Sequence, residues 1–148
     1  MSTSTRFVVA VHTLAILAMN GRVPSRSEDI ASSVNTNPTV IRSLLSRLGE
    51  AGLTMSQLGT GGGSLLAKPP AKIRLLDVYR AVEDNEIFAL HRSPPDPNCP
   101  IGGNVQAVLR PVLDRASTAL ERELAGVTIA GIANELAKRG RFSIPAGA

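Results

Sequence analysis

The dipeptide Asn37-Pro38 constrains the fold of this chain more than any other feature. Asparagine is a favoured helix N-cap, and proline suits the first helical position because no intrahelical bond there needs its missing amide hydrogen. The pair therefore predicts a helix that begins at Pro38, continues to about Ala51 and stops at Gly52. Apolar residues at helical spacing predict that its inner face consists of Ile41, Leu44, Leu45 and Leu48.

A shorter helix is predicted directly before this one, from Glu28 to Val34. Its N-cap oxygen would come from Ser27, or from Ser25 in a Ser-x-x-Glu capping box. The turn formers Asn35 to Asn37 separate the two helices. A short helix, a tight turn and a second helix are typical of the helix-turn-helix, whose second helix enters the major groove of DNA.

A β-hairpin is predicted after the helix pair. The segment Leu53 to Leu58 alternates weakly, Gly59 to Gly63 suits only a turn, and Ser64 to Ala67 offers a returning strand. The predicted fold class is therefore mainly α with a small β-hairpin wing, a winged helix-turn-helix followed by a long C-terminal dimerisation helix. Such a fold predicts binding of double-stranded DNA. The alternative is an unrelated helix pair in an all-α protein, which would show similar caps and stripes.

The residues predicted to contact DNA lie on the outer face of the second helix and around it. Thr39, Arg42 and Ser43 are the candidates for base contacts, because they lie near the N-terminal end of that helix. The full set of predicted DNA-binding residues is Ser27, Thr39, Val40, Arg42, Ser43, Ser46, Arg47, Gly61, Gly62 and Lys68.

The charge of the chain is placed unevenly. Residues 1–74 carry 8 Lys/Arg against 3 Asp/Glu, whereas residues 75–148 carry 8 against 9. A basic half that contains the helix-turn-helix suits a phosphate-binding face. No enzyme is predicted, because the glycine run does not open a helix and neither histidine has a catalytic partner at a recognisable spacing.

Several segments together form a signature more specific than the helix-turn-helix. They are Ile30-Ala31, Pro38 to Leu48, Glu50 to Leu53, Gly61 to Gly63, Leu66-Ala67 and the run Leu-Asp-Val-Tyr-Arg-Ala-Val-Glu from Leu76 to Glu83. This combination resembles the bacterial winged-helix regulators that include IscR, NsrR and RirA. The resemblance implies a homodimeric transcription regulator, usually a repressor, that binds an imperfect palindrome through paired recognition helices and wings. Members often sense iron–sulfur status, nitric oxide or redox stress.

The chain departs from that pattern at three positions. Leu58 stands where a basic residue commonly precedes the wing, Ser64 where an aromatic follows its glycines, and Arg74 where a Ser or Thr cap precedes the Leu-Asp-Val helix. Leu58 and Ser64 motivate an alternative function, a winged-helix protein-interaction or small-ligand module that no longer binds an operator. That module would lack the salt-dependent DNA affinity of a regulator.

One cysteine, Cys99, decides which sensing chemistry is available. Cluster-binding relatives place three cysteines in the loop before the long helix, and an iron–sulfur cluster usually takes four thiolates. The loop from His91 to Asn104 contains only Cys99, so no cofactor and no metal site is predicted. The alternative is a cluster shared by two subunits, each giving Cys99 together with His12 or His91.

Two roles for Cys99 itself remain open from the sequence. In the first, the thiol is a redox switch near the surface, because the loop Pro94 to Gly103 is too rich in Pro and Gly for regular structure and a helix N-terminus would favour the thiolate. In the second, Cys99 is an inert apolar plug. Oxidation would need the Cys99 of a partner subunit or a small thiol. No secretory or membrane segment is evident, so a reducing cytoplasm is the expected location.

The dimer interface is predicted on the helix that follows this loop. Its apolar stripe recurs at three- and four-residue steps, and the predicted contacts are Leu109, Val112, Leu113, Ala116 and Leu120. Pro111 would kink the helix or confine its regular part to Val112 to Leu124. A last short helix behind Thr128 is expected to pack across the dimer. The predicted regions are therefore 1–85, which binds DNA, and 86–148, which senses and dimerises, within one compact unit.

Overall fold

The computed structural model of the chain describes residues 4–84 and 86–145. Its elements in chain order are α1 Arg6–Asn20, α2 Ser27–Val34, α3 Pro38–Glu50, β1 Thr54–Gln57, β2 Gly63–Leu66, a 3-10 turn Pro70–Lys72, α4 Leu75–Val82, α5 Val105–Ala125 and α6 Ile129–Gly140. The predicted fold class, mainly α with a β-hairpin wing, is confirmed.

Helix α3 begins as its sequence predicts. The Asn37 side chain accepts a hydrogen bond of 2.8 Å from the Thr39 amide, and Pro38 occupies the first helical position. Ile41, Leu44 and Leu48 are buried and Leu45 is half-buried, so the predicted inner face is confirmed. Because these side chains face the core, the opposite side of α3 faces outward.

The predicted cap of α2 is wrong. Arg26 occupies the N-cap position and makes no side-chain cap bond, because an arginine side chain has no acceptor, and Ser27 is already helical. Ser25 instead accepts a hydrogen bond of 2.7 Å from the Asn20 side-chain amide. The helix ends at Asn35, whose left-handed φ of 64° starts the turn into α3.

The hairpin is joined by backbone hydrogen bonds to the segment that leads into α2. β1 and β2 pair antiparallel with Gln57 opposite Gly63, and Ser25 forms a bridge with Ser64. The two bridge hydrogen bonds measure 3.0 and 2.8 Å. A β-carbon at Gly63 would lie 2.5 Å from the Ser25 carbonyl oxygen, so only glycine permits this approach.

The core of the winged-helix part is built around α1. Leu14, Leu17 and Ala18 of α1 are buried with residues from every helix except α5. The other large, fully buried aliphatic side chains are Ile30, Ile41, Leu48, Ile73, Val78, Val82 and Ile129. Burial of several aliphatic side chains at about 1.5 to 3 kcal/mol each is what holds the helices in place.

The chain forms two compact units. The first unit consists of two segments, one that ends at Glu83 and one that begins at Ala125. The second unit is Asp84–Leu124. The sequence-based division grouped α6 with the sensor loop, whereas backbone hydrogen bonds connect α6 to the first unit. The Leu75 amide donates to the Val127 carbonyl oxygen at 2.9 Å, and the Ile129 amide donates to the Ile73 carbonyl oxygen at 2.8 Å. Residue 85, at the expected boundary, lies outside the described residues.

Helix α5 continues on both sides of Pro111, so the expectation that its regular part starts at Val112 is wrong. A proline inside a helix removes one hydrogen-bond donor, and here the turns on either side remain helical. Thr128 caps α6, since its hydroxyl accepts a hydrogen bond of 3.1 Å from the Gly131 amide.

Asp77 compensates for the missing Ser or Thr cap of α4. Its carboxylate accepts a hydrogen bond of 2.9 Å from the Arg74 amide and another of 2.8 Å from the Arg74 guanidinium. The Arg74 side chain and amide hold the pKa of Asp77 below its ordinary value, against a smaller opposing effect of burial. The helix start is therefore fixed by an ionised carboxylate.

Replacement of Asp77 by Asn should lower the free energy of unfolding by about 1 kcal/mol at neutral pH, because the cap loses its charge. Because folding lowers the pKa of Asp77, its carboxylate contributes fully to the free energy of unfolding at any pH above the unfolded-state pKa. This contribution is lost as the pH falls through the folded-state pKa. Urea unfolding at neutral and acidic pH measures both effects. The difference between the two proteins should shrink at acidic pH, and an equal difference at both pH values would contradict the assignment.

Candidate nucleic-acid interface

The candidate interface begins with the outer face of α3. Thr39, Arg42, Ser43 and Ser46 are exposed there, and Val40 is 44% exposed. These side chains face outward because the buried residues of the same helix occupy the other side. The face is therefore small, polar and basic, which suits contacts with base edges and phosphates.

A groove of about 430 Å³ lies between α3 and the hairpin. It brings together three of the predicted residues, Ser27, Arg42 and Ser46. The remaining lining residues are Leu45, Gly49, Thr54, Met55, Ser56 and Ser64. Hydroxyl and guanidinium groups are the donors that proteins commonly offer to phosphate oxygens, so this groove is chemically suited to a nucleic-acid backbone.

A carboxylate lies at the edge of this groove. Arg42 donates to Glu28 through Nη2 at 2.7 Å, and Arg26 Nε lies 3.7 Å from the other Glu28 oxygen. The pKa of Glu28 is lowered, first by a hydrogen bond from its own backbone and then by the charges of Arg26 and Arg42. Sequence reasoning assigned Glu28 only to the start of α2, because a contact across 14 residues leaves no periodic signal.

Arg47 takes a different position from the other predicted residues of α3. It is half-buried, and its Nη1 donates to the Val82 carbonyl oxygen at 3.2 Å, at the end of α4. Five residues separate it from Arg42, which at 3.6 residues per turn places the two on different sides of the helix. Arg47 thus joins α3 to α4, and its predicted DNA contact stays a prediction.

The turn of the wing presents backbone and an exposed apolar side chain. Gly61 is exposed with a φ of 77°, whereas Gly62 is half-buried and a β-carbon there would clash with the Gln57 carbonyl. Leu58, at the start of the turn, is 91% exposed. Lys68, after β2, is exposed and is the one predicted cation of the wing region.

Helix α5 carries an uncovered apolar stripe. None of its residues, all of them within the described chain, is buried. Leu109 and Val112 are 41% and 47% exposed, Ala116 is exposed, and Leu113 and Leu120 are half-buried. The five predicted dimer contacts therefore lie on a helix that its own chain does not bury.

Cys99 is half-buried, in a turn of the Pro- and Gly-rich loop. Backbone hydrogen bonds from Gly102 and then Ile101 lower the pKa of its thiol. The sequence had suggested that amides at the N-terminus of α5 would be the donors. They belong instead to this turn, because α5 begins only at Val105. Lower pKa and partial access both favour a reactive thiolate.

Comparison with known proteins now identifies the chain. Residues 3–135 match the model of the Rrf2 family, described as iron-dependent transcriptional regulators. The chain belongs to the Rrf2 family. YwnA of Bacillus subtilis, named as an HTH-type transcriptional regulator, is 41% identical over 134 residues, which cover 90% of this chain and 98% of YwnA.

Two solved structures share the fold of this Rrf2 protein. T. potens IscR has a TM-score of 0.72 at 22% identity, with 98% of this chain and 94% of that chain covered. CymR, the global cysteine regulator of B. subtilis, has a TM-score of 0.70 at 23% identity, with 91% and 98% covered. The expected resemblance is confirmed, and the chain is a DNA-binding transcription regulator of a non-enzymatic family.

One chain of this Rrf2 protein offers a single thiol, whereas an iron–sulfur cluster usually takes four thiolates. No group of three or more His, Cys, Asp or Glu side chains is placed to hold a metal among residues 4–84 and 86–145. The His12 ring contacts the Ser33 hydroxyl at 2.9 Å, and the His91 ring contacts Gln106 at 3.3 Å. No helix in the described part of the chain is long and apolar enough to cross a membrane.

Arg42 and Arg47 should respond differently to replacement by alanine. Arg47→Ala should lower the free energy of unfolding by about 1 kcal/mol, because the Val82 carbonyl loses a donor. Arg42→Ala should leave stability within about 0.5 kcal/mol, since its pair is exposed, but should weaken binding to the preferred duplex by about 1 to 3 kcal/mol. Urea unfolding and DNA titration of both variants measure this. Equal stability losses would contradict the assignment.

Proposed function

We propose that this Rrf2 regulator is a homodimeric repressor that binds a palindromic operator through two copies of α3 and its wing. The observation that supports this most is the groove beside α3, which Ser27, Arg42 and Ser46 line together. Each subunit would present one such groove to one half-site. A twofold-symmetric dimer matches a palindrome because its two recognition helices are related by the same symmetry.

The side chains divide by the kind of contact they offer. Arg42 can donate two hydrogen bonds to guanine, Thr39 and Ser43 can bond base edges, and Val40 can contact a thymine methyl group. Ser27, Ser46 and Lys68 would hold phosphates, and the wing backbone at Gly61 and Gly62 would approach the sugar–phosphate chain. A regulator of this kind acts where the chromosome lies, which supports a cytoplasmic location.

Dimerisation would cover the stripe on α5. Leu109, Val112, Leu113, Ala116 and Leu120 recur at three- and four-residue steps along one side of the helix. An uncovered apolar stripe of this kind is costly in water, whereas pairing with the same stripe of a second copy would bury both.

The variant Val112→Glu should convert the dimer to a monomer, because a carboxylate would be buried between two copies of α5. Val23→Glu, in the turn after α1, is the matched control, since Val23 is 67% and Val112 47% exposed. Sedimentation equilibrium should show dimers for the wild type and the control only. A Val112→Glu protein with the wild-type dissociation constant would contradict the interface.

Oxidation of Cys99 would be the signal. The Cys99 thiolate would attack the disulfide of an oxidised small thiol, forming a mixed disulfide and releasing the second sulfur as a thiolate. The partly exposed position and the turn amides of Gly102 and Ile101 support this role over that of an inert plug. The single thiol of each subunit also supports a regulator that works without an iron–sulfur cluster.

Treatment with the disulfide of a small thiol should change the operator affinity of the wild type by about fivefold or more. Cys99→Ser should bind DNA normally and should not respond, because it cannot form the disulfide. Mass spectrometry confirms the adduct, and protein purified without air should contain no stoichiometric iron. A response that persists in Cys99→Ser would show that Cys99 is not the group that senses the oxidant.

A further inference from the structure

We propose that Glu28 is a positioning residue that orients Arg42 and thereby raises the preference of the protein for its operator over other DNA. The inference rests on the DNA-binding role proposed for α3. It assigns a function to the one carboxylate that contacts a predicted base-reading side chain among the described residues.

The geometry places Glu28 between two guanidinium groups. Its Oε1 accepts from Arg42 Nη2 at 2.7 Å, and its Oε2 lies 3.7 Å from Arg26 Nε. The contact occupies one nitrogen of Arg42. A guanidinium carries five N–H donors in a planar fork, so the remaining donors are left for a base.

Glu28 and Arg42 both lie on helices that buried residues hold in place. Glu28 lies in the first turn of α2, which the buried Ile30 and Ala31 anchor to the core. Arg42 lies in α3 between the buried Ile41 and Leu44, and the Asn37 cap fixes where that helix starts. A free arginine loses much rotamer entropy when it binds, and a side chain that is already restrained loses less.

The pair contributes little to stability, since the Arg42 and Glu28 side chains are 56% and 49% exposed. A carboxylate on this face also repels phosphates, which weakens binding to every duplex. Positioning of Arg42 strengthens only those complexes in which the correct base is present. Because the repulsion acts on every duplex, it cancels in the ratio of operator affinity to non-specific affinity, and the positioning of Arg42 is what raises that ratio.

The experiment measures that ratio with two duplexes. One is the sequence that the wild type enriches from a random duplex pool, and the other is the same sequence shuffled. Glu28→Gln removes the charge, whereas Glu28→Asp keeps the charge but shortens the side chain by one methylene. Glu135→Gln is the matched control, because Glu135 pairs with Arg139 at 3.2 Å on α6.

The affinity ratio should fall by about fivefold or more in Glu28→Gln and in Glu28→Asp, in the range expected when an arginine–base contact is weakened. It should not change in Glu135→Gln. In an Arg42→Ala background the Glu28→Gln change should lower the ratio no further, because the side chain it positions is gone.

Three outcomes would overturn the inference. The first is a ratio that stays at the wild-type value in both Glu28 variants. The second is a fall in Glu28→Gln alone, which would show a pure charge effect. The third is an undiminished fall in the Arg42→Ala background. If the wild type itself shows no sequence preference, the proposed function fails together with this inference. A wild-type preference that both Glu28 variants retain contradicts this inference alone.

Discussion

Burial of Ile41, Leu44 and Leu48 decides what this protein can present to DNA. These side chains fix the rotation of α3 against the core, so its other side, with Thr39, Arg42, Ser43 and Ser46, faces outward. The Asn37 cap then fixes where the helix starts along its axis. Rotation and start together place the positions that we propose contact bases, without any contribution from the DNA.

Those features were predictable because they are local. The Asn37 cap, the inner face of α3, the glycine turn and the fold class all follow from neighbouring residues. The contacts of Ser25 with Ser64, Arg42 with Glu28 and Arg47 with Val82 were not, since they join residues distant in sequence. The Ser27 cap failed for a local reason: Arg26, not Ser27, precedes the first helical residue.

The second unit contains the loop that carries the only cysteine in the sequence of this regulator. The loop has one cysteine, and the described residues hold no metal-binding group. The turn around Cys99 directs the amides of Gly102 and Ile101 to its sulfur. Because α5 follows within a few residues, a modification of that sulfur would occur beside the proposed dimer helix.

The most direct test of the account is the affinity of the wild type for the DNA upstream of its own gene, measured over a series of salt concentrations. A regulator that neutralises several phosphates should lose affinity steeply as salt rises, and should prefer this duplex to a shuffled one throughout the series. Affinity that is independent of salt, or equal for the two duplexes, would contradict operator binding by α3 and its wing.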